Sequence, residues 1–306
     1  MSEIRGFGFV LLAAFFWGIS ATYAKLALTE HVSTILLVQV RVTFSLLMLV
    51  CYFLITNPGL LAIRRVDLWR FALVGVVGVA GSNFMYYFAI REGTVANAIL
   101  LQYTAPIMTV AFAVLARDEK LTAAKVMGGV LALVGIAMAV GGDGIHLHSL
   151  STSAFLSGIA SAGCFAFFTL ATKKLLQRYP VWTVLTYALL FASIFWIVLH
   201  PPWTVIQESP SGTIWVGLIA FAIMSILLPY SLYFAGLQRI EASRAIIVST
   251  FEPIVAIGSA ALFLNEHLTA LQTLGAMFVI GAIVIVRGRN VREQADMNSG
   301  GPDAAQ

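Results

Sequence analysis

Charge is scarce in this chain: charged residues make up 10% of its 306 positions, against 60% for apolar types. That balance excludes an ordinary soluble domain. Cysteine is scarcer still. Cys51 and Cys164 both lie inside apolar stretches, so no disulfide framework is expected. The five histidines are scattered, with His146 and His148 the one close pair, and two histidines alone rarely complete a metal site. Walker-type Gly-Lys-Ser/Thr, His-Glu-x-x-His and Gly-x-Ser-x-Gly sequences are all missing. ATP-driven pumping and common hydrolase chemistry therefore lack support. An integral-membrane enzyme would need catalytic or metal groups clustered near one face, and the sequence offers no such cluster. The reading is of a non-enzyme with no cofactor and no metal.

What the chain has in abundance is apolar runs of bilayer-crossing length, roughly 20 residues each. They fall near 7–28, 34–56, 70–90, 94–116, 122–141, 153–172, 181–200, 213–236, 243–264 and 268–287. The runs are continuously apolar rather than alternating, which favours helices over barrel strands. The first is too long for a signal-peptide core and has a counterpart at 153–172, so it is read as a permanent span. With the N terminus in the cytoplasm, 15 of the 18 Lys and Arg fall in inner segments. Arg91 is in an outer loop, while Lys25 and Arg41 are inside spans. The asymmetry predicts ten helices with both termini cytoplasmic in the plasma (inner) membrane. The net charge of +4 suits anionic inner-leaflet lipid, not nucleic acid.

The chain is also written twice. Ala98-Ile99, Pro106-Ile107 and Glu119-Lys120-Leu121-Thr122 return 147 positions later as Ala245-Ile246, Pro253-Ile254 and Glu266-His267-Leu268-Thr269. Residues 7–141 and 153–287 thus form two five-helix repeats, joined by a linker at 142–152 and followed by a tail at 288–306 expected to be disordered. Five is odd, so the second copy enters from the opposite face. Inverted repeats of this kind place a solute site near mid-membrane between the halves.

Several residues break the apolar rule where such a site belongs. Pro106 and Pro253 sit at matching positions about ten residues into the fourth and ninth spans, near the bilayer midplane at about 1.5 Å of rise per residue. Each lacks an N–H and frees the carbonyl four residues earlier, of Gln102 and Ser249. Such carbonyls persist only where protein or a wet cavity satisfies them, which predicts two kinked helices facing one cavity. Glu252 precedes Pro253 and is the most deeply placed carboxylate; at that depth it faces the interior, pairs with a cation or carries a proton. It is the candidate for proton coupling, with a structural ion pair as the bland alternative. Lys25 is weighed equally between snorkelling and a cavity role, and Arg41 is assigned a structural one. Asn83, Tyr86, Tyr87, Asn97, Gln102, Tyr103, Tyr230 and Tyr233 supply amides and amphipathic rings suited to an organic solute, although Tyr87 and Tyr233 also suit an aromatic belt. Gly75, Gly78 and Gly81, with the matched pair Gly128 and Gly275, indicate close helix packing. Thr269 with Gln272 fits a helix-start capping box, and Thr122 with Lys125 does not.

At these residues the chain resembles the drug/metabolite transporter superfamily, specifically proteins with two EamA domains. The marks are Phe16-Trp17-Gly18 with Lys25, Arg41, the paired prolines and the two Glu-x-Leu-Thr segments, over about residues 7–287. The resemblance implies an all-α integral membrane protein of ten helices in inverted five-helix halves, working by alternating access. It implies a central cavity lined by Trp17, Asn83, Tyr86, Gln102, Tyr103, Phe168, Tyr230 and Glu252. The implied activity is export of amino acids, other metabolites or toxic compounds; the aromatic enrichment adds amphipathic compounds, and Glu252 makes protons the candidate coupling ions, with an uncoupled facilitator of the same fold as the alternative. The scaffold does not by itself choose the solute.

Overall fold

The computed structural model describes residues 2–27, 32–140, 151–208, 211–264 and 268–299. Ten helices among them are long and apolar enough to cross a bilayer. In chain order these spans are Glu3–Ala24, Thr34–Thr56, Arg65–Glu92, Val95–Leu115 and Ala123–Val140, then Thr152–Leu176, Val181–Leu199, Gly212–Leu237, Ala242–Phe263 and Ala270–Gly288. They are called spans one to ten below. The ends differ from the sequence expectation by a few residues at most positions. The exception is the last helix, whose backbone runs on from Ala270 to Ser299. The sequence reading places a disordered tail from 288 onward. The linker at 142–150, with its His146 and His148, and the end of the tail lie outside the described residues, as do Glu266 and His267.

Small polar side chains start several spans. Ser33 Oγ accepts from the Leu36 N–H at 3.2 Å, Thr94 Oγ1 from the Asn97 N–H at 3.1 Å, and Ser151 Oγ from the Ala154 N–H at 3.1 Å. Each satisfies one of the donors a helix start leaves open. Thr269 and Gln272 close the reciprocal box, the Thr269 N–H donating to Gln272 Oε1 at 2.9 Å and the Gln272 N–H to Thr269 Oγ1 at 3.2 Å.

The two halves interlock, and almost every contact between them is made twice. Span one packs on spans eight and nine; its repeat partner, span six, packs on spans three and four. Span two packs on span eight as span seven packs on span three, while spans five and ten face each other. This pairing is what a two-fold axis lying in the membrane plane produces from inverted copies. Glycine sets the closest approaches. A Cβ on Gly135 would lie 2.7 Å from the Gly275 carbonyl oxygen, and one on Gly275 would lie 2.5 Å from that of Gly135, so spans five and ten touch backbone to backbone.

Two irregularities recur in both halves. Span three is π-helical over Val74–Gly81 and span eight over Ile223–Leu227, at matching repeat positions. Span four breaks after Gln102 and resumes at Ala105, and span nine breaks after Ser249 and resumes at Glu252. The breaks precede Pro106 and Pro253. At each, a threonine hydroxyl adds a bond to the carbonyl three residues earlier: Thr104 Oγ1 donates to Leu101 O at 2.7 Å, and Thr250 Oγ1 to Ile247 O at 2.6 Å.

Candidate functional site

The irregular segments of spans three, four, eight and nine meet at mid-depth, and a cavity of about 630 Å³ lies among them. It reaches from Glu252, Pro253 and Pro106 to Ala24, Thr34, Ile90, Val95 and Val140 at the helix ends farthest from the N terminus. The cavity therefore opens on the face opposite the N terminus.

Its floor is aromatic. The Trp17 ring stands edge-on to Tyr230, with centroids 5.4 Å apart, and tilts against Tyr233 at the same distance. The Trp17 indole N–H donates to the Ser225 carbonyl at 3.2 Å. Ser225 lies in the π-helical turn of span eight, where the register shift leaves carbonyls short of partners. In the other half the bond is made within one span, Asn83 donating through Nδ2 to Val79 O at 2.6 Å in the π-helical segment of span three. Asn83 and Tyr230 occupy equivalent repeat positions, so residues related by the internal axis share the same cavity.

The side walls carry the polar groups. Gln102 Nε2 donates to Ser161 Oγ at 3.0 Å, and Ser161 in turn to Ser82 O at 3.0 Å, tying the broken span four to spans six and three. The Glu252 carboxylate stands against the Tyr103 hydroxyl. Thr22 and Ser259 share a hydrogen bond at 2.6 Å behind it, holding spans one and nine together. Trp17, Asn83, Tyr86, Gln102, Tyr103, Tyr230, Glu252 and both prolines line the cavity.

Two expectations fail and one falls outside the described side chains. Phe168 is not on the wall: it is 1% exposed, stacked at 10° on Tyr233 and touching Tyr230 from behind. It fills the space against Gly78, where a Cβ would approach the Phe168 Cβ to 3.0 Å; its bulk supports the floor. Arg41, assigned a structural role, lines the cavity. Its Nη2 donates to Asn83 Oδ1 at 2.7 Å, and its guanidinium lies 5.8 Å from the Phe221 ring centroid. The position of Arg41 one turn beyond Leu37, on the face that carries Thr34, was the signal available in the sequence. The Lys25 side chain is outside the described residues. Tyr233, suspected of belonging to an interfacial belt, is fully buried and bonded to Thr169 Oγ1 at 3.0 Å.

The opposite end is shut by charge. Lys125, 2% exposed, bonds Glu119 at 2.8 Å and Glu241 at 3.2 Å, and Arg244 bonds Glu241 at 2.6 Å. Ser243 donates to Glu119 through both its N–H and its hydroxyl. Lys173 caps the end of span eight through the carbonyls of Leu237 and Ile240. Asp67 gathers Arg70 at 2.5 Å, Arg178 at 3.6 Å and the Tyr179 hydroxyl at 2.8 Å. A second, smaller cavity of about 450 Å³ lies on this face among Trp69, Arg70, Lys173 and Lys174.

A membrane bundle of two inverted halves, with a polar cavity at their junction open to one face and sealed from the other, is the architecture of a solute carrier. The family model for the EamA-like transporter family matches residues 4–141 and 152–288. The chain belongs to that family, within the drug/metabolite transporter superfamily, as a multi-pass membrane transporter with two EamA domains. It is 25% identical to the "Uncharacterized inner membrane transporter YicL" of Salmonella typhimurium, over 93% of this chain and 96% of the relative. It is 26% identical to the "Probable amino-acid metabolite efflux pump" of the same organism, over 96% and 99%. It is also 26% identical to the "Threonine/homoserine exporter RhtA" of Escherichia coli K12, over 72% and 74%. A solved crystal structure superposes with a TM-score of 0.76 at 17% identity, over 94% of this chain and 98% of that one; the likeness is one of fold.

Proposed function

We propose that this protein exports small organic metabolites, amino acids among them, across the plasma (inner) membrane by alternating access. The carrying observation is the cavity between two broken helices, lined by one carboxylate, two amides and several amphipathic rings. Its volume of about 630 Å³ suits a small organic molecule, since such pockets span roughly 300–1,000 Å³. Two relatives with exporter or efflux names for amino-acid compounds support the solute class. With both termini in the cytoplasm, as the distribution of Lys and Arg favours, the cavity is open to the outside and the charged seal faces the cytoplasm. Trp17, Asn83, Tyr86, Gln102, Tyr103 and Tyr230 bind the solute; Phe168 buttresses the floor; the breaks at Pro106 and Pro253 let the walls move.

In this reading Glu252 carries the coupling proton. It is the one carboxylate on the wall among the described residues, and its counterpart in the first half is Ala105. The test is amino-acid counterflow in proteoliposomes with and without an imposed pH gradient. Wild type is expected to respond to the gradient, and Glu252→Gln to retain a weaker counterflow that no longer responds to it. A Glu252→Gln protein with full gradient dependence overturns the coupling role, and gradient-independent transport by wild type makes the protein a facilitator. Reporter fusions test orientation: residue 145 and the C terminus are expected on opposite sides of the membrane.

A further inference from the structure

We propose that Arg41, positioned by Asn83, is the docking group for the solute's carboxylate, and that with Glu252 across the cavity it selects α-amino acids as zwitterions. This rests on the transport reading above and names the chemical class it admits.

Charges at membrane depth are costly and persist where they pair or serve a wet cavity. Arg41 lies well inside span two, on the cavity wall. No carboxylate among the described residues lies within ion-pair distance of it. One nitrogen, Nη2, is committed to Asn83, while Nε is buried without a hydrogen-bond partner. Asn83 is itself fixed by its bond to Val79 O, so it orients the guanidinium without neutralising it. The guanidinium carbon stands over the Phe221 ring, 5.8 Å from its centroid. A snorkelling arginine would reach for headgroups. This one is held by a residue of the neighbouring span whose side chain faces the cavity.

Among the described lining residues Arg41 and Glu252 are the two that carry charge, and no direct ion pair joins them. Neither charge belongs to the repeat scaffold, because the equivalent positions are Ala188 and Ala105. Two opposite charges held on separate walls, with space between, complement a molecule that carries both signs. The guanidinium fork matches a carboxylate in a planar, two-bond geometry. An α-ammonium then lies toward Glu252 and Tyr103, and the rings of Trp17 and Tyr230 take the side chain.

The experiment compares acids with their amides: L-threonine, L-leucine and L-phenylalanine against the three matching amino-acid amides. Binding is read by thermal stabilisation of the purified protein and by competition in counterflow. For at least one pair, the acid is expected to bind at least about tenfold more tightly. Arg41→Gln is expected to narrow that ratio to within about threefold, with Asn83→Ala between the two. Acid and amide binding wild type equally overturns the role of Arg41 and leaves transport standing. A preference for the acid that survives in folded Arg41→Gln overturns it as well. If neither acids nor amides bind, the amino-acid reading itself falls, and this inference with it.

Discussion

Gly18 sits where span one crosses span nine at the cavity. A Cβ there would stand 2.6 Å from the Val255 Cβ, 2.7 Å from the Glu252 carbonyl oxygen and 2.9 Å from the Ala256 nitrogen. Backbone atoms cannot move aside as a side-chain tip can, so a side chain at 18 must push the two helices apart at Glu252. Gly18→Val is expected to cost about 1–3 kcal/mol, read as a lowered thermal midpoint in detergent, together with lost counterflow. Gly163, whose Cβ would meet nothing within 4 Å, provides the contrast, and Gly163→Ala is expected to match wild type on both measures. A wild-type midpoint for Gly18→Val would show that the crossing is looser than described. Trp17→Phe tests a subtler contact, removing the indole donor to Ser225 O while keeping the aromatic floor. The expected loss is about 1 kcal/mol, seen in the same unfolding assay. At this scale the sequence was readable wherever a polar or aromatic residue interrupted an apolar run, as at Asn83, Gln102 and Glu252. It misled at Arg41 and Phe168. A cation in a span has an easy exit to headgroups, and nothing local reveals that Asn83, 42 positions away, holds it. Phenylalanine fits a wall and a buttress equally well.

At the scale of elements, irregular backbone is what turns four apolar helices into walls of a polar cavity. The prolines announced two of the irregularities because the missing N–H is a property of one residue. The π-helical turns had no such marker. Val74–Gly81 and Ile223–Leu227 share no residue type that demands the wider turn, and the glycines of span three signal only close packing, which they also provide against Ala188 and Phe168. The register shift of span three is supported within the span, by Asn83 bonding Val79 O, and that of span eight from outside, by Trp17 of span one bonding Ser225 O. Helical periodicity does not report a bond between distant spans. Pro253→Ala tests whether the break itself matters. The new N–H can reach the Ser249 carbonyl, adding one bond worth about 1 kcal/mol, so stability is expected to hold or rise slightly. Straightening turns Glu252 away from Tyr103, and counterflow is expected to fall at least about tenfold. A protein that is equally stable and equally fast would show the kink to be a packing feature.

Across the whole molecule the two faces are built from the same repeat but closed by different chemistry. The sealed face uses Lys125, Glu119, Glu241, Ser243 and Arg244. The repeat-related positions on the open face hold Gln272, Thr94, Ala96 and Asn97, with Glu266 outside the described residues. Lys125 bonds two carboxylates, whereas Gln272 turns back to cap its own helix at Thr269. Inverted copies with identical closures would leave the two access states nearly equal in energy. Placing the ions on one face favours the state in which that face is shut. Removing one member of a buried ion cluster costs about 3–5 kcal/mol, because the remaining charge is left without a partner. An equilibrium inverts from 99:1 to 1:99 for about 5.5 kcal/mol, so Lys125→Met is expected to move a large share of the protein into the opposite state, with Glu119 then able to reach water. The readout is an Ala245→Cys probe in a background without Cys51 and Cys164, since Ala245 is fully buried on span nine close to the seal. Maleimide labelling is expected to accelerate at least about tenfold in Lys125→Met. Adding Glu119→Gln removes the stranded charge and is expected to bring the rate part of the way back. An unchanged labelling rate in Lys125→Met would mean that apolar contact between spans, and not the ion cluster, keeps this face closed.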